Sequence, residues 1–286
     1  MPSPSPTVRV DLHQMILNVW QASPGNVHPG SHDRFLDTMD DIPTMPKSKA
    51  EHVAQQLLDR IITAGLTPGS SFGTEADLLK LFDVSRPTLR ESLRILESQG
   101  VLELRPGPRG GIMVKKPSTA ILAHGLSVFL RLHDVPFIAV LKAREVIEPA
   151  LASEAAQNGT EEDFDELEES IERMKGLRDQ EAFIEENRIF HSIIARASGN
   201  KVLETFWSTI SILATGEHHG VRYSVGNQQH VIEAHEGILK ACRKRDSKAA
   251  AAKMEAHVTE LEHLVRKRYQ NLLTQPTSVV ARYRRR

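Results

Sequence analysis

Cysteine is almost absent from this chain of 286 residues. Cys242 is the only one, so no intramolecular disulfide can form, and a reducing compartment fits. Long apolar runs are missing too. No stretch approaches the ~20 consecutive apolar residues of a membrane-spanning helix, so no membrane partner is expected. Neither sign of charge dominates, since 36 Lys and Arg against 37 Asp and Glu give a formal net charge of −1. A surface for nucleic acid therefore has to be a local patch on one part of the chain. The N-terminus lacks the charged start and apolar core of a signal peptide, and the chain reads as cytoplasmic. Its length corresponds to about two domains, at about 100–200 residues each.

What is present is unevenly distributed. Residues 47–116 hold 11 Lys and Arg and 8 Asp and Glu, a net of +3, whereas 161–172 is an acidic run that reads as the solvated face of a helix. Within the basic part, residues 74–114 spell out a short helix, a turn, a second helix bearing arginines, and a β-ribbon with a glycine tip. Thr74 is placed to cap the first helix, with Asp77 standing in for the Glu or Gln of a capping box, and Leu78, Leu79 and Phe82 form its apolar face. Asp83-Val84-Ser85 is the turn, and Ser85 caps the second helix. There Leu89, Leu93 and Leu96 recur at helical spacing and face a core, while Arg86, Thr88, Arg90 and Arg94 face outward. Gly100 stops the helix. Val101–Leu104 alternates as a strand, and 105–111 turns into Ile112-Met113-Val114.

That order is a winged helix-turn-helix. Arg86 and Arg90 lie four apart in the opening turns of the second helix, where guanidiniums can reach guanine O6 and N7 in the major groove. Arg109, in the glycine-rich wing, is set against phosphates or the minor groove. An arginine-bearing amphipathic helix alone is more often a solvated surface. The ordered set of cap, turn, helix and wing is what decides for DNA.

At these residues the chain resembles the GntR family of bacterial transcription regulators. Thr74-Glu75-Ala76-Asp77-Leu78, Val84-Ser85-Arg86, Arg90-Glu91-Ser92-Leu93 and Gly107–Gly111 occupy the places of that family's helix start, turn, recognition helix and wing. The stretch Lys49–Gly69, with Val53, Leu57, Ile61 and Ile62 on one face, is similar to its first helix and exit. Ala76 stands where many members carry a DNA-contacting arginine, and no contact is assigned there. The resemblance implies DNA contacts at Arg86, Thr88, Arg90, Arg109 and Gly110.

Residues 1–46 are rich in Pro, Ser, Asp and His. They read as a disordered or loosely docked extension, in which Leu12–Trp20 alone has amphipathic spacing. The expected organisation is this extension, a winged helix-turn-helix domain over 47–116, an all-α bundle over 117–272 and a basic tail over 273–286. The fold class is mainly α. Helices are predicted at 118–132, 136–158, 160–177, 180–198, 200–215, 226–245 and 247–272, separated by Pro136 and by Asn-Gly-Thr, Ser-Gly-Asn and Arg-Asp-Ser breaks.

In the bundle, Asn187 and His191 are four apart on a helix face flanked by Ile184, Phe190 and Ile194. His235 and His257 fall in two later helices. Three imidazoles and an amide oxygen can converge there on a divalent transition ion. With 13 His in the chain, ordinary satisfied histidines and a cluster of His218, His219 and His230 remain alternatives on the residues alone. Residues 118–272 also resemble the FadR-type effector domain, the FCD domain. Asn187, His191, His235 and His257 match the order and spacing of its metal-binding members, with Asn where Asp is commoner. Arg144 and Glu148 match its Arg-x-x-x-Glu opening, whose arginine often faces the effector cavity.

The resemblances together imply a ligand-responsive repressor and not an enzyme. It would be a homodimer on a pseudo-palindromic double-stranded operator, holding Zn or Ni and binding a small carboxylate effector with Arg144. Two other classes compete with it: a hydrolase of the HD type, from His133-Asp134, and an effector-free DNA-binding dimerisation protein.

Overall fold

The computed structural model describes residues 48–107, 110–214 and 224–269. The segment Leu12–Trp20, Arg109, His218, His219 and the tail 273–286 lie outside the described residues. The fold is mainly α, with ten helices and one small sheet among those residues.

The N-terminal part begins with α1 (Lys49–Thr63), started by a capping box in which Ser48 and Glu51 bond each other's backbone. Helix α2 (Glu75–Leu81) has the same device in Thr74 and Asp77, as the sequence predicts. Helix α3 (Arg86–Ser98) is capped by Ser85 and carries Pro87 in its first turn, where the missing N–H costs nothing. Leu57, Leu78, Leu89, Leu93 and Leu96 form one core with Leu102, Ile112 and Val114 of the ribbon. The Ser92 hydroxyl donates to the Ala50 carbonyl at 2.7 Å and ties α3 to α1.

Two expectations need correction here. Ile62 does not share the buried face of α1. Val53, Leu57 and Ile61 follow a four-residue stripe, and Ile62 lies one residue past it, exposed. The wing is also more than a two-stranded ribbon. Strand β1 (Ser71–Gly73) pairs antiparallel with β3 (Gly111–Val114), which pairs on its other side with β2 (Leu102–Arg105), giving the order β1-β3-β2. Three residues with no alternation left no strand signal at β1.

The remaining seven helices are α4 (Thr119–Leu132), α5 (Phe137–Asn158), α6 (Glu161–Gly176), α7 (Gln180–Ala197), α8 (Lys201–Leu213), α9 (Val225–Arg243) and α10 (Ser247–Arg268). Their bounds follow the predicted ones because the caps are local: Ser118, Thr160, Asp179, Asn200, Ser224 and Asp246 each accept a backbone N–H of the first turn. Helix α5 packs along α10, and α6, α7 and α9 close around them. The shared core is built from Leu151, Phe164, Leu167, Phe183, Phe190, Ile193, Ile238 and Met254, among others. Helix α4 meets the ends of α5, α8 and α10 through Ala123, Phe137, Leu141, Leu213 and Val265. Its other side leaves Leu122, Val128, Phe129 and Leu132 exposed.

Candidate metal centre and nucleic-acid interface

His191 on α7, His235 on α9 and His257 on α10 are all buried, at 2%, 0% and 8% exposure. Their helices pack on a common apolar core, so the rings are forced together although 66 residues separate the first from the last. Nε2 of His257 lies 3.2 Å from Nε2 of His191 and 3.1 Å from Nε2 of His235. Phe190 stacks on His235, with ring centroids 3.7 Å apart and planes 8° from parallel, and fixes that imidazole from behind. Among the described residues, these three form the one grouping of metal-capable side chains.

The chemistry of the cluster fits a cation. A neutral imidazole nitrogen has either one proton or one lone pair, so Nε2 of His257 can bond only one of its two neighbours. Two nitrogens bound at about 2.0–2.1 Å to one ion stand roughly 3.0–3.4 Å apart, and the observed spacings fall inside that range. Burial, reinforced by the neighbouring His191, pushes the His257 imidazole down to about 3. Burial likewise holds His235 well below its ordinary value. Both are therefore neutral ligands at neutral pH, as coordination requires.

Glu148 on α5 supplies a charge that the ligand set itself lacks. Its carboxylate touches Nδ1 of His191 with one oxygen and accepts from Nε of Arg144 with the other. Burial alone would raise its pKa, but Arg144 and His191 outweigh burial and hold it well below the carboxylate range. When His191 is neutral, an ionised Glu148 beside its Nδ1 favours the tautomer with the proton there and the Nε2 lone pair toward the cluster. A negative charge thus lies directly behind one ligand, although Asn187 is neutral. The spacing of Arg144 and Glu148 is visible in the sequence, but the contact with His191 is not, because it joins two different helices.

Asn187 sits one turn before His191. Its Oδ1 is buried with no hydrogen-bond partner. Together with Arg144, His257, His230 and Glu260 it lines a cleft of about 370 Å³. Of the rival cluster only His230 lies among the described residues, where it is exposed and pairs with Glu260 at 2.7 Å. His133 and Asp134, the pair that suggests a hydrolase, are exposed just after α4, and no metal-capable grouping among the described residues includes them.

At the other end of the chain, Arg86 and Arg90 project from one face of α3, and both meet Glu75 at the start of α2. Arg86 Nη1 lies 3.3 Å from Glu75 Oε1, and Arg90 Nε donates to both carboxylate oxygens at 2.9 and 3.1 Å. The Thr88 hydroxyl is 2.8 Å from that of Ser85, within the cap. Gly110 closes the wing. Its N–H donates to the Gly107 carbonyl at 2.9 Å, and a Cβ there would stand 2.0 Å from the Arg105 carbonyl oxygen. Arg94 and Arg105, to which no contact is assigned from the sequence, line the groove between α3 and the wing.

A helix-turn-helix with a wing, joined to a helical bundle, is one arrangement of several families, and comparison with known proteins decides among them. Residues 49–114 match the model of the bacterial regulatory proteins of the gntR family, and residues 139–260 match the FCD domain. The chain belongs to the GntR family. Among its relatives, the HTH-type transcriptional regulator YcbG of Bacillus subtilis is 28% identical over 238 residues, covering 83% of this chain and 94% of its own length. LutR of the same organism is 27% identical over 206 residues, 70% of this chain and 93% of its own. The transcriptional repressor NanR of Escherichia coli K12 is 26% identical over 234 residues, 77% and 85% of the two chains. A solved Streptococcus agalactiae GntR structure shares the fold, with a TM-score of 0.63 at 23% identity over 75% of this chain and 99% of that one. This GntR regulator is thus a DNA-binding transcription regulator, as its relatives are, and not an enzyme. No helix among the described residues is long and apolar enough to cross a membrane.

Proposed function

We propose that this regulator is a repressor released from its operator by a small organic acid, which binds over a metal ion held by Asn187, His191, His235 and His257. The observation that carries this reading is the convergence of three buried imidazole nitrogens beside a cleft that also contains Arg144. The donor set, nitrogen-rich with one neutral oxygen, suits Zn or Ni. A bound ion would act as a Lewis acid toward an oxygen-donor ligand. Arg144, oriented by Glu148, faces the same cleft and is placed to pair with the ligand's carboxylate through charge-assisted hydrogen bonds. Glu148 orients His191 and balances part of the cation's charge.

The DNA-binding surface is assigned to Arg86, Thr88 and Arg90 on α3, and to Gly110 and Arg109 in the wing. The proposed boundaries are 47–116 for this domain and 117–272 for the effector domain, with 1–46 and 273–286 as appendages. The chain acts as a homodimer on a pseudo-palindromic double-stranded operator, because two-fold protein symmetry presents two recognition helices to two half-sites. The exposed Leu122, Val128, Phe129 and Leu132 on α4 support a second copy of the chain as a partner. Repression agrees with the relative NanR, which is a transcriptional repressor. Because binding is reciprocal, effector weakens operator binding by the same factor by which operator weakens effector binding.

The test is a thermal-shift screen of organic acids on the purified protein, with and without Zn or Ni, paired with elemental analysis of protein prepared without added metal. A ligand whose stabilisation requires the ion supports the reading. Metal-free protein that responds fully to its effector overturns it.

A further inference from the structure

Glu75, in the first turn of α2, holds both arginines assigned to the DNA face. The cap of α2 is completed without it, by the reciprocal pair of Thr74 and Asp77. It is no part of the apolar core beneath α2 and α3. Its carboxylate lies in the groove between α3 and the wing, in contact with Arg86 and Arg90, while the arginine side chains are largely exposed. Ion pairs of such exposure stabilise a fold little, so the arrangement calls for another account.

We propose that Glu75 sets the base specificity of this regulator by holding Arg86 and Arg90 in fixed orientations and by opposing DNA that offers those arginines no guanine. The inference rests on the reading that Arg86 and Arg90 face base edges. Reading guanine requires two parallel N–H donors aimed at O6 and N7, and an unrestrained arginine spreads its donors over many rotamers. Arg90 gives Nε to both oxygens of Glu75. This restrains the guanidinium through Nε and leaves its Nη1–Nη2 edge as the one that can present two parallel donors. Arg86 is held more loosely, by Nη1 alone. The charge of Glu75 acts in a second way. One anion between two cations lowers the attraction of this face for phosphates, which is the part of binding that does not depend on sequence. Where guanines are present the fixed donors engage them. Where they are absent the arginines keep Glu75 as their partner, and the duplex is held more weakly.

Selection of duplexes from a random library by the full-length protein tests this even while the operator is unidentified. It is combined with titration of mixed-sequence duplex at several salt concentrations. Glu75→Gln is expected to select a motif with weaker guanine preference. It should bind mixed-sequence duplex about threefold to tenfold more tightly near 0.1 M salt, the order expected for removing one anion beside the phosphates. The ratio of specific to non-specific affinity should fall about tenfold. Glu75→Asp keeps the charge but loses the reach, so it should relax the motif without gaining non-specific affinity. Arg90→Ala in the same selection separates the premise from the inference. If its motif equals that of the wild type, the DNA face has been misassigned. If its motif changes while that of Glu75→Gln does not, the role of Glu75 alone is overturned. Equal loss of affinity for all duplexes in Glu75→Gln, with a lowered thermal midpoint, would make the residue a plain structural tie and likewise overturn the proposal.

Discussion

Replacing Glu148 with Gln removes one charge from the buried row Arg144–Glu148–His191 while keeping nearly the same volume. The side chains of Arg144 and Glu148 are 11% and 2% exposed, so the guanidinium loses its counter-ion in a place where water replaces it poorly. Breaking a buried pair from one side costs about 3–5 kcal/mol. Arg144 borders the cleft, which admits some water, so the lower end applies, about 3 kcal/mol. For a protein of this size that corresponds to a fall in Tm of roughly 6–12 °C. The second effect is on His191, whose Nδ1 no longer meets a carboxylate, and metal affinity should drop about 10–100-fold. Urea unfolding of metal-free protein measures the first, and competition with a chromogenic chelator measures the second. The sign with pH is fixed as well. Glu148 is held below its ordinary pKa in the fold, so its contribution is complete above the unfolded value of about 4.3 and is lost as pH falls below it. The gap between wild type and variant should therefore be constant from about pH 7 to about 5 and narrow only under more acid conditions. The double variant Arg144→Met, Glu148→Leu should recover most of the stability, because it leaves no buried charge, but none of the metal affinity. A stability loss under about 1 kcal/mol in Glu148→Gln would show that the pair behaves like a solvated surface pair and would refute the buried charge row.

Arg86→Ala and Arg90→Ala should each cost about 1–3 kcal/mol against the specific operator, read by competition shift assay. Arg109→Ala, by contrast, should weaken binding to all sequences and flatten the salt dependence. Full discrimination in both helix variants would remove α3 as the reading helix. His235→Ala together with His257→Ala should abolish metal content in elemental analysis and spare DNA binding. Asn187→Asp should tighten metal binding by adding a negative charge, and metal retained in the double histidine variant would move the site elsewhere. Metal-free protein should be most stable above about pH 6.5 and lose stability as pH falls from there toward about 3, because the unfolded chain takes protons that the buried His235 and His257 refuse. The slope should be at most about 1.4 kcal/mol per pH unit for each histidine, and a flat profile in chemical denaturation over that window would contradict their burial as neutral imidazoles.

How much of this was legible in the sequence follows the range of the interactions. Caps and breaks are local, so Thr74 and Ser85 announced their helices, the Asn-Gly-Thr and Arg-Asp-Ser breaks marked the starts of two more, and the leucine spacing of α3 announced its buried face. Strand β1 was not legible, because three residues carry no period and its pairing is decided by β3, far along the chain. Ile62 looked apolar enough for the core, and only the angle around α1 excludes it. The histidines could be named from order and spacing, but their meeting depends on how α7, α9 and α10 pack. The same holds for Glu148 against His191 and for Glu75 against Arg90. In each of these the decisive partner lies on another helix, and nothing in the local sequence marks it.

The burial of the cluster also prescribes an order of events. His235 is stacked on Phe190, His191 is buried against Glu148 of α5, and of the three histidines only His257 borders the cleft among the described residues. Along that route, an ion would enter before the effector and leave after it. A bound effector would then act as a stopper, so that extraction by a chelator would slow as effector concentration rises. The regulator would in this way keep a record of recent metal supply for as long as its effector persists.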